Sequence, residues 1–503
     1  MTDFGIILKR ACHIRNVYMN RCRKAVQNMI RFGTGGWRAI IGDEFTKKNI
    51  QILAKALSLK MKDEGVEDQG LCIGYDRRFL SKEAVKWACE VFAAEEIHVL
   101  FVDRSSPTPL VMYYVMAHDL PYGLMVTASH NPAIYNGFKV FTRGGRDADE
   151  EQTAELERYI DQVEAGFACG KSIRTVPYEE ALEKGCVTEF NPLNEYIDSI
   201  LLQIDTDAIK KYGLRIALDP MYGVSQTALR TILSIARCEV EVIHDRHDTL
   251  FGGKLPAPNE RTLRQLQNYV TDRNCDIGIA TDGDADRLGV VDDQGTFLHP
   301  NDILSILYYY LLKYKKWSGP VVRNVATTHR LDRIAEAFGQ KCYEVPVGFK
   351  YISSKMAETG AIIGGESSGG LTVRGHIQGK DGIYAASLMV EMIAVTGRKL
   401  SEILEDIRSE FGSLYMVERD YRFSSLRKQE IKKLLLEDKE LPQLPLPIKK
   451  VSYLDGCKVY FRNGGWLICR FSGTEPLLRI FCEMESRDEA VKMTEIFEKF
   501  LSL

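Results

Sequence analysis

The sequence predicts three similar α/β domains with mixed sheets, followed by a small C-terminal α+β domain. Three observations carry this reading. A chain of 503 residues exceeds what one compact core accommodates. A rhythm of short apolar strands and helical stretches recurs three times, and each round places a polar, glycine-containing loop after its third strand. From about residue 413 the rhythm changes to hairpin strands and a closing amphipathic helix.

The elements follow in order. Residues 1–28 hold six Lys or Arg, one acid and little apolar periodicity, and are expected to be a dispensable tail; a transit peptide is disfavoured by the absence of serine. The first round, assigned to 29–185, runs "LCIGY", the helix "SKEAVKWACEVFAAEE", "HVLFV", a helix, "YGLMV", the loop "TASHNP" and "GFKVF". The second, 186–298, runs "LRIALD", a helix, "EVEVI", the helix "ERTLRQLQNYVTD", "DIGIA", the loop "TDGDADR" and "LGVV". The third, 299–410, runs "GPVVRN", a helix, "KCYEV", the helix "YISSKMAETG", "AIIG", the loop "GESSGG" and "LTV". Such strands are almost continuously apolar, as expected when helices cover both faces of a sheet. The last unit, 411–503, contains the hairpin "KVYFRNGGWLICRF" and its own loop, "RFSGTEP". Open α/β sheets bind ligands beyond the carboxyl ends of their strands, so three such loops would face one central cleft.

Composition limits the partners. With 66 basic and 69 acidic residues there is no general cationic field, which disfavours nucleic acid and anionic membranes. No apolar run approaches the roughly 18 to 20 residues that span a bilayer. Twelve cysteines are scattered without a CxxC pair or secretory signal, so reduced thiols and a cytoplasmic location are expected. Any anionic partner must be bound locally.

The loops carry that chemistry. In "TDGDADR", Asp282, Asp284 and Asp286 would project to one side if the segment were extended. Three convergent carboxylates suit a hard divalent cation such as Mg²⁺, which removes their mutual repulsion. A calcium EF-hand is a poor rival, since its sixth position would be Arg287 and its twelfth Asp293. In "TASHNP", Ser129 follows a buried strand; Lys139 in "NGFKV" and Arg38 in "GTGGWRA" supply cations that favour phosphoryl over acyl transfer. "RFSGTEP" reads as a phosphate cradle, with Arg470, Ser472 and Thr474 alternating around Gly473. "GESSGG" offers Glu366 and Ser368 to hydroxyl groups.

Two motifs are decoys. Residues 365–369 match G-x-S-x-G, but a strand and turn follow Ser367 where a nucleophile elbow needs a helix. "AGFACGKS" has only three residues between Gly166 and Gly170, one short of a P-loop.

"TASHNP", "DGDADR", "GESSGG" and "SGTEP", with "GTGGWR" near the start, together resemble the α-D-phosphohexomutase family from about residue 30 to the end. The resemblance implies four domains around a central cleft, a phosphoserine at Ser129, and one Mg²⁺ held by Asp282, Asp284, Asp286 and a phosphoserine oxygen. It implies that Arg38, His130, Lys139 and Arg287 surround the transferring group. Glu366 and Ser368 would hold sugar hydroxyls, and Arg470, Ser472, Gly473 and Thr474 the phosphate that is not reacting. Lys139 or a neighbour would accept the hydroxyl proton if its pKa were lowered.

The implied activity is an intramolecular phosphotransfer on hexose phosphates, with glucose 1,6-bisphosphate as activator. Family members resembling phosphomannomutase/phosphoglucomutases or phosphoglucosamine mutases usually carry a His two residues after the sugar-loop serine, where this chain has Gly370. "RGHIQGKDG" instead supplies His376 and Lys380, similar to phosphoglucomutases, and "VGFKY" supplies Gly348, Phe349 and Lys350 near the sugar. Glucose is therefore expected first and mannose second. A non-catalytic sugar-phosphate binder would be expected to lack Ser129, one of the aspartates or Arg470, and none is missing.

Overall fold

A computed structural model describes residues 30–33, 35–471 and 477–503, so the expected tail at 1–28 lies outside the described residues, as do Ser472, Gly473 and Thr474. The first sheet orders its strands Trp37–Ile40, Tyr135–Thr142, Tyr122–Val126, Leu71–Tyr75, Val99–Val102 and Val187–Phe190. The second runs Phe297–Leu298, Leu288–Val291, Ile277–Thr281, Arg215–Asp219, Glu239–Val242, and the third Cys342–Val345, Val321–Asn324, Ile363–Gly365, Leu371–Val373.

All three repeat one motif. The strand before each polar loop lies parallel to the central strand, and the strand after it returns antiparallel. The sheets are therefore mixed, and each polar loop is a reversal at a sheet's carboxyl end. The central strands of all three end in an Asx turn: Oδ1 of Asp76, Asp219 and Asn324 accepts the N–H two residues on, at 2.9, 2.8 and 2.9 Å.

One boundary needs correction. The expected boundary puts residues 186–190 in the second unit, but Val187–Phe190 pairs parallel with Val99–Val102 as the edge strand of the first sheet. The segment is short and partly exposed, so hydropathy alone does not tie it to a distant strand.

One hydrophobic core runs through the first three units, joining Val111 and Phe141 to Ile216 and Ile279 and to Leu307 and Leu388. Helices Pro300–Lys313 and Gly382–Thr396 cross it and are apolar nearly all round, as buried helices are. Each large aliphatic side chain removed from water there contributes roughly 1.5 to 3 kcal/mol. Asp381 caps the second of these helices by accepting the N–H groups of Ile383 and Tyr384.

The last unit is an antiparallel sheet ordered Tyr415–Arg422, Leu477–Met484, Trp466–Phe471, Cys457–Phe461, Ile448–Ser452. Helix Arg487–Leu501 closes its own core with Ala490, Met493 and Phe497. Among the described residues no helix is long and apolar enough to cross a membrane.

Candidate active site

Ser129 leads the first reversal and is fully buried. Its backbone is left-handed, with φ 51°, a conformation that costs a non-glycine residue energy and that clusters at functional sites. Arg78 holds it there: Nη2 donates to the carbonyls of Ser129 and Asn131 at 2.6 and 2.7 Å, and Nη1 to those of Pro132 and Tyr135 at 2.9 Å. Thr127 Oγ1 accepts the Ser129 N–H at 2.8 Å. The hydroxyl positioned by this clamp points out of its own domain, donating to Asp282 Oδ2 at 2.8 Å.

The three aspartates converge, but not by strand alternation. The extended loop expected from their spacing is instead a turn: the Ala285 N–H donates to the Asp282 carbonyl at 3.1 Å, and Ala285 has φ 63°. Asp282 Oδ1 accepts the N–H groups of Asp286 and Arg287 at 3.1 and 3.0 Å, closing the loop on itself. A positive φ costs alanine its Cβ clash, so this turn is held in a strained conformation.

One oxygen from each of Asp282, Asp284 and Asp286 lies within 4.8 Å of the others, and all three residues are buried. Burial, followed by the charges of Asp284 and Asp286, pushes the Asp282 carboxyl well up. Burial opposes the Asp286 charge too, yet Lys139, Lys380 and Arg287 hold its pKa well down. Among the described residues, Asp284 Oδ1 and Asp286 Oδ1 have no hydrogen-bond partner. Orphaned, buried carboxylate oxygens of this kind are the donor set that Mg²⁺ takes, so the residues fit that ion. Thr108, at the start of helix Thr108–Ala117, donates its hydroxyl to Asp284 Oδ2 at 2.6 Å and its N–H to the Asp284 carbonyl at 2.9 Å. The positive end of that helix adds to the neutralisation.

Cations close the site. Lys139 bridges Asp284 and Asp286 at 2.7 and 2.6 Å, Lys380 meets Asp286 at 3.0 Å, and Arg287 Nε lies 3.9 Å from Asp282 and Asp286. Arg38 donates to Asn131 Oδ1 at 2.8 Å. His130 Nδ1 lies 3.4 Å from Ser129 Oγ, and burial, then the charges of Arg287 and Arg38, keep the ring neutral by lowering its pKa well below the usual value. The expectation of a depressed Lys139 is corrected here. Burial works in that direction, but Asp284 and Asp286 outweigh it and raise the pKa.

The sugar-loop candidates divide. Glu366 Oε1 accepts from Asn324 Nδ2 at 3.0 Å and from the Gly348 N–H at 3.1 Å, and Ser368 Oγ donates to Glu366 Oε2 at 3.4 Å. The metal and sugar loops touch edge to edge: Arg287 and Gly370 form an antiparallel bridge, and the Leu288 N–H donates to the Gly369 carbonyl at 3.0 Å. A Cβ at Gly370 would lie 2.2 Å from Lys380 Cδ. The Lys380 stem thus occupies the space that a side chain at 370 would need, and its ammonium reaches Asp286. Lys350 lies at the same mouth, paired with Glu150 of the first domain at 3.1 Å.

His376 and Phe349 are corrections. His376 is buried, with Nε2 on the helix-cap residue Asp381 at 2.7 Å and Nδ1 on Gln203 at 3.3 Å, so both ring nitrogens already have protein partners. Phe349 packs against Val322, Ile352 and Met356 inside the third domain. A motif gives chain order, whereas these two side chains follow the packing of helix Gly382–Thr396, which His376 precedes, and of helix Phe349–Thr359, which Phe349 begins. Arg470 lies near the end of Trp466–Phe471, the central strand of the last sheet, its Nε donating to Asp455 Oδ2 at 2.7 Å.

Arg78, Asp76, Thr108 and Asn131 contact the site and are missing from the sequence reading. A signal was present: "YDRR" begins directly beyond the carboxyl end of a central strand, where α/β sheets build their sites.

These loops, facing one another across the ends of three mixed sheets, define a phosphoryl-transfer enzyme with a serine beside a divalent-cation site. Comparison places the chain: it belongs to the phosphoglucomutase/phosphomannomutase family of the α-D-phosphohexomutase superfamily, enzymes that are isomerases by intramolecular phosphotransfer. The family's alpha/beta/alpha domains I, II and III match residues 29–166, 194–295 and 299–411, and its C-terminal domain matches 431–499.

Among relatives, a phosphoglucomutase/phosphomannomutase of Thermococcus kodakarensis is 28% identical over 93% of this chain and 98% of its own. A phosphoglucomutase of Komagataeibacter xylinus is 28% identical over 90% and 87%. A phosphoglucosamine mutase of Methanococcus maripaludis is 29% identical over 77% and 82%. A solved structure from Thermus thermophilus, named as a phosphomannomutase, superposes with TM-score 0.80 at 28% identity, covering 94% of this chain and 99% of that one. The open form of Paramecium parafusin, a phosphoglucomutase, shares the fold with TM-score 0.77 at 20% identity, over 95% of each chain.

Proposed function

We propose that this phosphohexomutase is a phosphoglucomutase, interconverting glucose 1-phosphate and glucose 6-phosphate through phospho-Ser129 and a glucose 1,6-bisphosphate intermediate. The observation that carries the reaction is the Ser129 hydroxyl on Asp282 at 2.8 Å, beside aspartates that Lys139, Lys380 and Arg287 approach. Glucose 1-phosphate binds with its phosphate in the cradle of Arg470, Ser472, Gly473 and Thr474, and its 6-hydroxyl beside phospho-Ser129. The Ser129 O–P bond breaks as the sugar O–P bond forms, and the 6-hydroxyl loses its proton as Ser129 Oγ gains one, giving the bisphosphate and a free serine. The intermediate then turns over and returns its other phosphoryl group to Ser129.

Each part of the chain has a task in this scheme. Arg38, Arg287, Lys139 and Lys380 counter charge on the transferring oxygens, and the Arg78 clamp keeps Ser129 in line. Mg²⁺ bound by Asp282, Asp284 and Asp286 would add Lewis-acid neutralisation of the same charge. Glu366 and Ser368 suit both orientations, because the sugar's 3- and 4-hydroxyls exchange places when it turns.

The choice of glucose rests on Gly370 and on Lys380 in its space, since the relatives' names divide among three sugars. Mannose 1-phosphate is the second reading, because one hydroxyl at carbon 2 is worth about 1 to 3 kcal/mol in a forgiving pocket. Initial rates on glucose 1-phosphate, mannose 1-phosphate and glucosamine 1-phosphate, at matched Mg²⁺ and bisphosphate, test the assignment. Faster turnover of either rival would refute the sugar and leave the chemistry.

A further inference from the structure

We propose that Asp455 is a positioning residue that orients Arg470 and fixes the spacing between the phosphate cradle and the sugar loop. The proposal rests on the phosphohexomutase reading of Arg470. It starts from one carboxylate oxygen with two partners in different domains. Asp455 Oδ2 accepts from Arg470 Nε at 2.7 Å and from the Val347 N–H at 2.9 Å.

The first bond aims the guanidinium. With Nε engaged, Nη1 and Nη2 have no partner among the described residues, and that pair is the edge which takes a phosphate dianion side-on. Both side chains are largely buried, 14% exposed for Arg470 and 23% for Asp455, so solvent screens the bond little. Backbone packing fixes the carboxylate: the next residue, Gly456, has φ 97°, and a Cβ there would lie 2.4 Å from the Cys469 carbonyl on the strand that carries Arg470.

The second bond links domains. Val347 precedes Gly348, whose N–H donates to Glu366 Oε1 at 3.1 Å, and Asn324 Nδ2 donates to the same oxygen at 3.0 Å. A continuous polar path therefore joins the phosphate guanidinium to the carboxylate that reads the sugar. A bisphosphate that turns over must meet the same anchor-to-serine distance in both orientations. Asp455 sets that distance, so loosening it lets the intermediate escape before it recharges Ser129.

The test uses full-length Asp455→Ala and Asp455→Asn, checked for folding by circular dichroism. For Asp455→Ala we expect KM for glucose 1-phosphate to rise about tenfold, with kcat at saturating bisphosphate nearly unchanged. The glucose 1,6-bisphosphate needed for half-maximal rate should rise as well, which a defect of folding alone does not produce. Asp455→Asn keeps an acceptor without the charge and should fall between; it carries the same test if the alanine variant does not fold. Adding Asp455→Ala to Arg470→Ala should raise KM no further.

Wild-type KM and bisphosphate requirement in Asp455→Ala, or additive effects with Arg470→Ala, would overturn the proposal. Titration of glucose 1,6-bisphosphate into Ser129→Ala and into Ser129→Ala/Asp455→Ala reads the anchor without turnover. About tenfold weaker binding is expected for the second protein, and equal binding overturns the role. A wild-type chain that turns over no hexose phosphate defeats the functional reading itself, a separate outcome.

Discussion

Ser129 of the first domain donates its hydroxyl to Asp282 of the second at 2.8 Å, so the serine loop and the aspartate loop meet side chain to side chain. Asp282 is also the residue whose second oxygen closes the aspartate turn. Replacing it with Asn preserves shape and removes charge. Asp282→Asn should therefore lower kcat by about 100-fold or more and raise the Mg²⁺ concentration that supports turnover. Chelation of Mg²⁺ should silence the wild type reversibly. Rates titrated against Mg²⁺ check both, and an unchanged metal requirement in the variant would refute the ligand assignment.

Arg78 donates four hydrogen bonds to carbonyls of the serine loop while buried beside Asp76. Arg78→Lys supplies one ammonium where a planar fork is needed, so it should not rescue Arg78→Ala. Both should lose about 2 to 4 kcal/mol of stability and lower kcat while KM changes little. Urea unfolding with steady-state kinetics checks this; a variant with full kcat would show that the clamp is irrelevant to the reaction.

Gly370 lies under the stem of Lys380, with only 2.2 Å between a built Cβ and Lys380 Cδ. Gly370→Ala should push the lysine off Asp286 and reduce kcat about tenfold or more. Once Lys380 is Ala, the added methyl should cost nothing further. Additive losses in the double variant would mean that the two positions act separately.

Lys458 is enclosed between the third and last domains, 2.7 Å from Glu344 and 3.2 Å from His329. Burial, then the charge of Arg323, pushes its pKa down to about 7, outweighing the opposing pull of Glu344. Below pH 7 folded and unfolded chains both carry the proton. Between there and the ordinary lysine value of 10.5 only the unfolded chain does, so stability should rise with pH across that window. The slope should be at most about 1.4 kcal/mol per pH unit, and Lys458→Met should flatten it. Urea midpoints at several pH values, compared between the two proteins, decide; parallel curves would contradict the buried charge.

The parts legible in the sequence are those written in local pattern. "YGLMV", "LGVV" and "LTV" form strands at those residues because runs so short and apolar can be buried on both faces. Ser129 and the aspartates announced themselves by an abundance of polar groups between such strands. Arg78 did not, since a buried arginine that grips carbonyls reads as an exposed turn. The lowered pKa that a proton-accepting Lys139 needs is not met, because carboxylates such as Asp284, 145 residues away in the chain, raise it. His376 and Phe349 had motif positions and no way to declare that helix packing turns them inward. Val187–Phe190 needed a partner strand that only the folded chain supplies.

The most direct measurement is the intact mass of the purified full-length chain after incubation with glucose 1,6-bisphosphate, followed by peptide mapping. The account requires the added mass of one phosphoryl group, located on Ser129, removed by glucose 6-phosphate and absent from Ser129→Ala. A folded chain that takes up no phosphoryl group, or takes it up at another residue, would contradict it.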